Sequence, residues 1–141
     1  MIDVKKLLAK ILSTNLVIET GSVRQPIASG SSLYCDWTWK KWKDGSYDLW
    51  CVTDATTWSL TAVSGKGYYT SFALQFPAGF NAKRADFVVA NRHRTGGGVG
   101  TNALITFSPS NIVVNGVNIY IFTTLSFSAP FSICIYAHGR L

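Results

Sequence analysis

Acidic side chains are scarce. Asp and Glu together number 7 in 141 residues, and only 2 histidines accompany them. A glycoside hydrolase needs two carboxylates held at a defined separation about a cleft. Of Asp3, Glu19, Asp36, Asp44, Asp48, Asp54 and Asp86, only Asp36 and Asp54 are expected to lie near each other, across a hairpin mouth. Nothing beyond that proximity gives them a role. His93 and His138 lack the company of a nucleophile and an acid and are too few for a zinc site. The 3 cysteines, Cys35, Cys51 and Cys134, form no CxxC pair. They read as small buried hydrophobes in a chain assembled under reducing conditions. No metal, no cofactor and no enzymatic activity are expected from this inventory. Long apolar runs are also missing, which argues against membrane insertion. The stretch from Leu7 to Leu12 is broken by Lys10, with no small-residue cleavage site after it, so no signal peptide is read and synthesis in the cytoplasm is expected.

Charge is sparse too: 14% of residues are charged, and the net charge is +6. That is little for a monomer that must coat itself in water, so copies of the chain are expected to cover part of its surface. The basic residues are spread over an N-terminal helix, a hairpin and the loop at Arg92 and Arg94. A nucleic-acid footprint clusters on one element, so no nucleic-acid partner is expected. What the chain has in quantity is apolar and aromatic side chains, 48% and 13%, interleaved with Gly, Ser, Thr and Asn. This is the profile of one all-β domain.

Residues 2–13 read as a short helix with Asp3 as N-cap. Val4, Leu7, Leu8, Ile11 and Leu12 recur at helical spacing on one face, and Lys5, Lys6 and Lys10 take the other. A helix this short must dock to persist. It can pack on its own β domain or form a seam with the same helix of neighbouring subunits, and the spacing fits both. The chain divides into a helix for oligomerisation or docking (1–14), a linker with a short extended piece at Leu16–Glu19 (15–32) and a β head (33–141). Strands are expected at Leu33–Lys43, Ser46–Thr53, Tyr69–Gln75, Ala85–Asn91, Ala103–Ser108, Asn111–Asn115, Val117–Thr124 and Phe131–Ala137. Turn residues such as Pro109-Ser110 and Asn115-Gly116 separate them. Eight short strands at this spacing predict a single antiparallel β-sandwich, jelly-roll-like or related.

Asp44-Gly45 between β-prone runs is a strong hairpin signal. A two-residue loop there sets Lys43 opposite Ser46, Trp39 opposite Trp50, Lys41 opposite Asp48 and Cys51 opposite Thr38. Trp37, Trp39 and Lys41 then share a face with Asp48, Trp50 and Val52. The other face carries Trp42, Tyr47, Leu49 and Cys51. Both are apolar, and a sheet apolar on both sides is covered on both sides. Val4, Leu7, Leu8, Ile11 and Leu12, with Trp42, Tyr47 and Leu49, are therefore the candidates for an oligomer interface. In the same register Cys35 falls opposite Asp54, too far from Cys51 for a disulfide.

Two groups are candidates for ligand binding. Arg92, His93 and Arg94 precede the glycines at 96–98, where backbone N–H groups and guanidiniums can clamp a carboxylate or phosphate. No Gly-Lys-Ser/Thr follows, so a P-loop is excluded, and the plainer reading is a turn with solvated arginines. Trp58, Tyr68 and Tyr69 offer flat faces to sugar rings, although core or interface packing uses the same residues.

The order of features carries a resemblance. A Met-Ile-Asp-Val-Lys-Lys-Leu-Leu start leads to Val17-Ile18-Glu19-Thr20-Gly21. Then come Trp39-Lys40-Lys41-Trp42-Lys43-Asp44-Gly45, Asp48-Leu49-Trp50 and a terminal Gly139-Arg140. This resembles small phage and prophage tail proteins of Gram-positive gut bacteria. Asp48 stands where Glu is commoner in that family, and Leu141 where Trp is commoner. The resemblance implies a homotrimeric tail-fibre or receptor-binding tip with an N-terminal helical bundle and β-sandwich heads. It also implies other tail or baseplate proteins and cell-surface polysaccharide as partners, and residence in a virion tail. It carries over no catalytic residue.

Overall fold

In the N-terminal helix α1 (Val4–Ser13), the Asp3 carboxylate accepts from the backbone N–H of Lys5 at 3.1 Å and of Lys6 at 3.2 Å. Those are two of the donors a helix start leaves without partners. At the other end the Thr14 hydroxyl donates to the Lys10 carbonyl at 2.7 Å. No side chain of α1 is buried. The stripe is formed as expected, and among the described residues none covers it. This is the computed structural model of the protein, and it describes residues 1–93, 104–126 and 128–141.

The remaining elements form two antiparallel sheets. One has the order β1 (Val17–Pro26), β2 (Tyr34–Trp42), β3 (Ser46–Thr53), β9 (Ser132–Arg140), β6 (Ala85–His93). The other has the order β4 (Thr61–Val63), β5 (Gly67–Gln75), β8 (Gly116–Thr123), β7 (Ile105–Val113). Their inner sides share one core. Trp37, Tyr47, Leu49, Ile133 and Ile135 from the first meet Leu74, Val117, Ile119 and Ile121 from the second. Phe76 and Phe80, just past β5, wedge edge-on against Trp37 at 5.7 Å and Tyr47 at 5.2 Å. Along β3 and β9 the buried positions alternate with less buried ones, the period-two signature of a sheet with one face in a core.

Several expectations change. The segment 15–32 is not a linker, because β1 pairs with β2 from Val17 to Pro26. The two strands expected either side of Pro109-Ser110 are one strand, β7, with a register shift between Ser110 and Val113 and Asn111 at φ 44°. Pro109 is tolerated there because β7 is an edge strand. Strand β4, which pairs with β5, was not anticipated.

The largest change is the hairpin register. The Gly45 N–H donates to the Trp42 carbonyl at 3.0 Å, and Gly45 has φ 84°. This is a three-residue loop, a turn over Lys43-Asp44 followed by a left-handed glycine. Asp44 stiffens it by accepting from the Ser46 N–H at 2.8 Å and the Ser46 hydroxyl at 2.6 Å. The extra residue slips the pairing by one, to Trp39↔Leu49, Thr38↔Trp50, Trp37↔Cys51 and Cys35↔Thr53. A one-residue slip exchanges one strand's faces relative to the other's. Trp37 and Trp39 therefore lie with Tyr47, Leu49 and Cys51 on the core side. Trp42 lies with Asp48, Trp50 and Val52 on the outer side. Cys35, Cys51 and Cys134 are free thiols, the first two buried and the third half-buried.

Candidate functional site

On the outer side of the five-stranded sheet the register sets Lys40, Asp48, His138 and Phe87 in one row, and Thr38, Trp50, Tyr136 and Val89 in the next. Asp48 is the hub. Its carboxylate accepts from Trp42 Nε1 at 2.6 Å and from the Tyr136 hydroxyl at 2.6 Å. It also lies 2.8 Å from His138 Nδ1. Desolvation alone would raise its pKa, yet the hydrogen bonds from Tyr136, His138 and Trp42 outweigh it and hold the carboxyl below its ordinary value. The Tyr136 phenol is pushed up to about 12 by burial and by the anion it serves. A carboxylate shared among three fixed donors is an anchor for their rings. It is poorly placed to take a proton from a substrate.

Beside that anchor lies an aromatic strip. Tyr136 sits between Trp50, 5.7 Å away, and Phe87, 5.6 Å away, and Phe87 stacks on His138 at 5.8 Å. Trp50, Phe87 and Val89 keep 38%, 46% and 45% of their surface exposed. The Lys40 ammonium sits 5.9 Å from the Trp50 ring. The strip is thus a partly exposed aromatic surface bordered by the Lys40, Asp48 and His138 row.

The short motifs singled out in the sequence converge on the same hairpin. Glu19 accepts from Trp39 Nε1 at 3.3 Å and pairs with the Lys41 ammonium at 3.0 Å, which lowers its pKa, Lys41 contributing most. Gly21, opposite Trp39, is where that indole lies, and a Cβ there would collide with the ring. Gly139 likewise leaves room for the Tyr47 ring, whose hydroxyl donates to the Lys83 carbonyl at 3.2 Å. These residues hold the sheet together, and none of them is arranged as reactive chemistry.

The helix joins the sheet at the hairpin tip. Lys43 Nζ donates to the Leu12 carbonyl at 2.6 Å, and the Lys43 N–H to the Leu16 carbonyl at 2.8 Å. The Asn15 amide both donates to the Asp44 carboxylate and accepts from the Asp44 N–H, each at 3.1 Å. Val4, Leu7, Leu8, Ile11 and Leu12 remain exposed, by 47% to 70%.

The other predicted residues fall as follows. Tyr47 and Leu49 are fully buried in the chain's own core, so they are not surface residues, and the register slip is the reason. Trp42 stays half-buried on the outer side. Trp58 is also in the core, its Nε1 donating to the Phe131 carbonyl at 3.2 Å and its ring 4.9 Å from Phe72. Tyr69 stacks on Phe122 at 6.5 Å, and Tyr68 points to the opposite side of β5. The three do not form one platform. Arg92 and His93 are exposed at the end of β6, while Arg94 and the glycines at 96–98 lie outside the described residues. Asp36 and Asp54 are brought together, but Arg24 bridges them at 3.1 and 2.6 Å, and its pKa rises in return. Sequence reasoning missed Asp48, Tyr136, His138 and Phe87 as a group. Only a correct register puts them on one face. Among the described residues no cluster of His, Cys, Asp or Glu is placed to hold a metal ion, and no helix is long and apolar enough to cross a membrane. No protein-family model, curated protein or solved structure matches this chain significantly.

Proposed function

We propose that this chain is a homotrimeric, non-enzymatic head of the phage or prophage tail-fibre kind, which adheres to glycans of a bacterial surface. The observation that carries the proposal is α1, a capped amphipathic helix with every apolar side chain uncovered, clasped by its C-terminal end to the hairpin. In isolation such a helix is marginal. Packed against its copies it buries the stripe, and each chain's Trp50–Tyr136–Phe87 strip supplies a second surface to cover. Linking three heads then multiplies a weak glycan affinity by avidity.

The strand order is consistent with a jelly-roll-related sandwich. Strand β3 pairs with β9, and β5 with β8, so the outer pair encloses the inner one along the chain, with β6 and β7 innermost. The spent state of Asp48 and of the Asp36–Asp54 pair supports a binding role over hydrolysis. Other tail or baseplate proteins would be the docking partners.

Sedimentation at micromolar concentration, followed by a glycan array with the intact assembly, tests the proposal. A trimer that retains bacterial-surface glycans is expected. A monodisperse monomer removes the assembly. A trimer that binds no glycan leaves a purely structural tail component, a reading favoured by how many of the motif residues are packing contacts. A monomer that binds glycan would be a free carbohydrate-binding module.

A further inference from the structure

The outer side of the five-stranded sheet is divided in two by its register. Rings occupy β3, β9 and β6, where Trp50, Tyr136 and Phe87 follow one another at 5.7 and 5.6 Å. On β1 and β2 the same rows continue with Thr20 beside Lys40 and Ser22 beside Thr38. Those four residues are exposed. Thr38 lies directly across from Trp50, and Lys40 directly across from Asp48. An apolar strip therefore borders a block of three hydroxyls and one ammonium. The strip is also held in place. The Tyr136 hydroxyl donates to Asp48 at 2.6 Å, and its ring is flanked by the other two. Trp50 and Phe87 stand on strands about 10 Å apart, the span of two linked sugar rings. Rings fixed in this way need little ordering when a ligand arrives.

The charge pattern narrows what the face takes. Asp48 is the carboxylate nearest to Lys40 in the register, yet it is taken up by Trp42, Tyr136 and His138. Among the described residues no carboxylate forms an ion pair with Lys40, whose ammonium sits 5.9 Å from the Trp50 ring. An unpaired ammonium beside partly exposed rings complements an anion that carries its own apolar face. A second copy of this chain, itself at +6, is a poorer complement. A polyol phosphate offers the charge without a flat ring, and a neutral hexose offers the ring without the charge. A pyranose bearing a carboxylate offers both, and its hydroxyls suit the block on β1 and β2.

We infer that this outer face binds an acidic polysaccharide, its pyranose rings lying along Trp50, Tyr136 and Phe87 and a carboxylate meeting Lys40. The inference rests on the adhesion reading above and names what covers the strip.

Calorimetry with the intact protein tests it, using short uronic-acid oligosaccharides, neutral hexose oligosaccharides and a polyol phosphate oligomer. Lys40→Gln and Trp50→Thr alter exposed side chains, and threonine suits a strand. Lys10→Gln, on the polar face of α1, removes the same charge elsewhere. The uronic-acid oligosaccharide is expected to bind the parent most tightly and to weaken about tenfold in Lys40→Gln and in Trp50→Thr. Lys10→Gln should bind as the parent does, and sedimentation should give one oligomeric state throughout. Equal losses in Lys10→Gln and Lys40→Gln would mean diffuse attraction to a basic chain, and a Trp50→Thr assembly that falls apart would mean that copies cover the strip. Either result overturns the inference. Uronic-acid binding that survives Lys40→Gln and Trp50→Thr, or a preference for the neutral or phosphate probe, overturns it and leaves adhesion standing. A parent protein that binds none of the probes ends both.

Discussion

Replacing Gly21 with alanine tests whether the hairpin is held as described. A Cβ on Gly21 would come within 2.8 Å of Trp39 Cη2 and closer still to Cζ2 and Cε2, all in the body of the ring. The indole cannot simply lift away. Its Nε1 donates to Glu19 at 3.3 Å, and its ring meets Phe80 edge-on at 5.7 Å. Turning it forfeits an aromatic contact worth about 0.5–1.5 kcal/mol and overpacks a site where an inserted carbon typically costs about 1–3 kcal/mol. Against this, Gly→Ala stabilises by about 0.4–1 kcal/mol through the unfolded chain where the site is open. A net loss of about 2 kcal/mol is expected, a fall of roughly 6–8 °C in melting temperature for a chain of this length. Urea denaturation and thermal melts at one fixed protein concentration measure it, since assembly would also shift the transition. The decisive comparison is a double-mutant cycle with Trp39→Leu, where the Cβ meets a smaller, flexible side chain and the cost should largely vanish. If Gly21→Ala is neutral in the parent, or costs as much in the Trp39→Leu background as in the parent, the packing argument is wrong.

Three further outcomes are expected. The folded-state pKa of Asp48 is depressed, so its contribution is complete above the ordinary carboxylate pKa of about 3.9 and lost as pH falls through the lower folded value. Asp48→Asn should flatten the stability–pH curve in that acid window and, by offering N–H groups to donors, cost about 2–3 kcal/mol near neutrality; an unchanged acid limb would count against the hub. Leu8→Ser with Ile11→Ser should give monomers with a folded head by sedimentation and circular dichroism, and an intact oligomer would remove the helix from assembly. Trp37 Nε1 is buried with no partner, so Trp37→Phe should cost about 1 kcal/mol or less, well below the roughly 3–5 kcal/mol of Trp37→Ala; equal losses in the two melts would mean that the indole N–H is satisfied.

Much of the fold is legible in the sequence because period-two burial dominates it. Ser46–Thr53 is a strand with the boundaries its pattern predicts, and α1 begins at the cap its Asp3 implies. The hairpin shows where such reading fails. Asp-Gly suits a two-residue loop and a three-residue one alike, and the choice between them moves every partner by one position. That choice sent Tyr47 and Leu49 to the core and brought Asp48 and Trp50 out. Strand β1 was hidden for a different reason. It lies at a sheet edge, is mostly exposed and contains Gly21, Arg24, Gln25 and Pro26, so its pattern of burial carries no alternation to read. The cluster around Asp48 joins positions 42, 48, 136 and 138, a separation that only tertiary pairing closes.

The edges of the two sheets limit how copies of this protein can meet. An unprotected edge strand invites another chain to extend the sheet through backbone hydrogen bonds. Here β1 ends in Pro26 and slips register between Val17 and Glu19, and β6 slips between Ala85 and Phe87. Strand β4 is only three residues long, and β7 carries Pro109 and its own irregularity. Each of the four rims thus spoils the continuous ladder that fibril growth requires. Any contact between copies would therefore have to run through side chains rather than through a shared backbone ladder. An apolar surface bounded by such edges is thereby guarded against open-ended growth of either sheet.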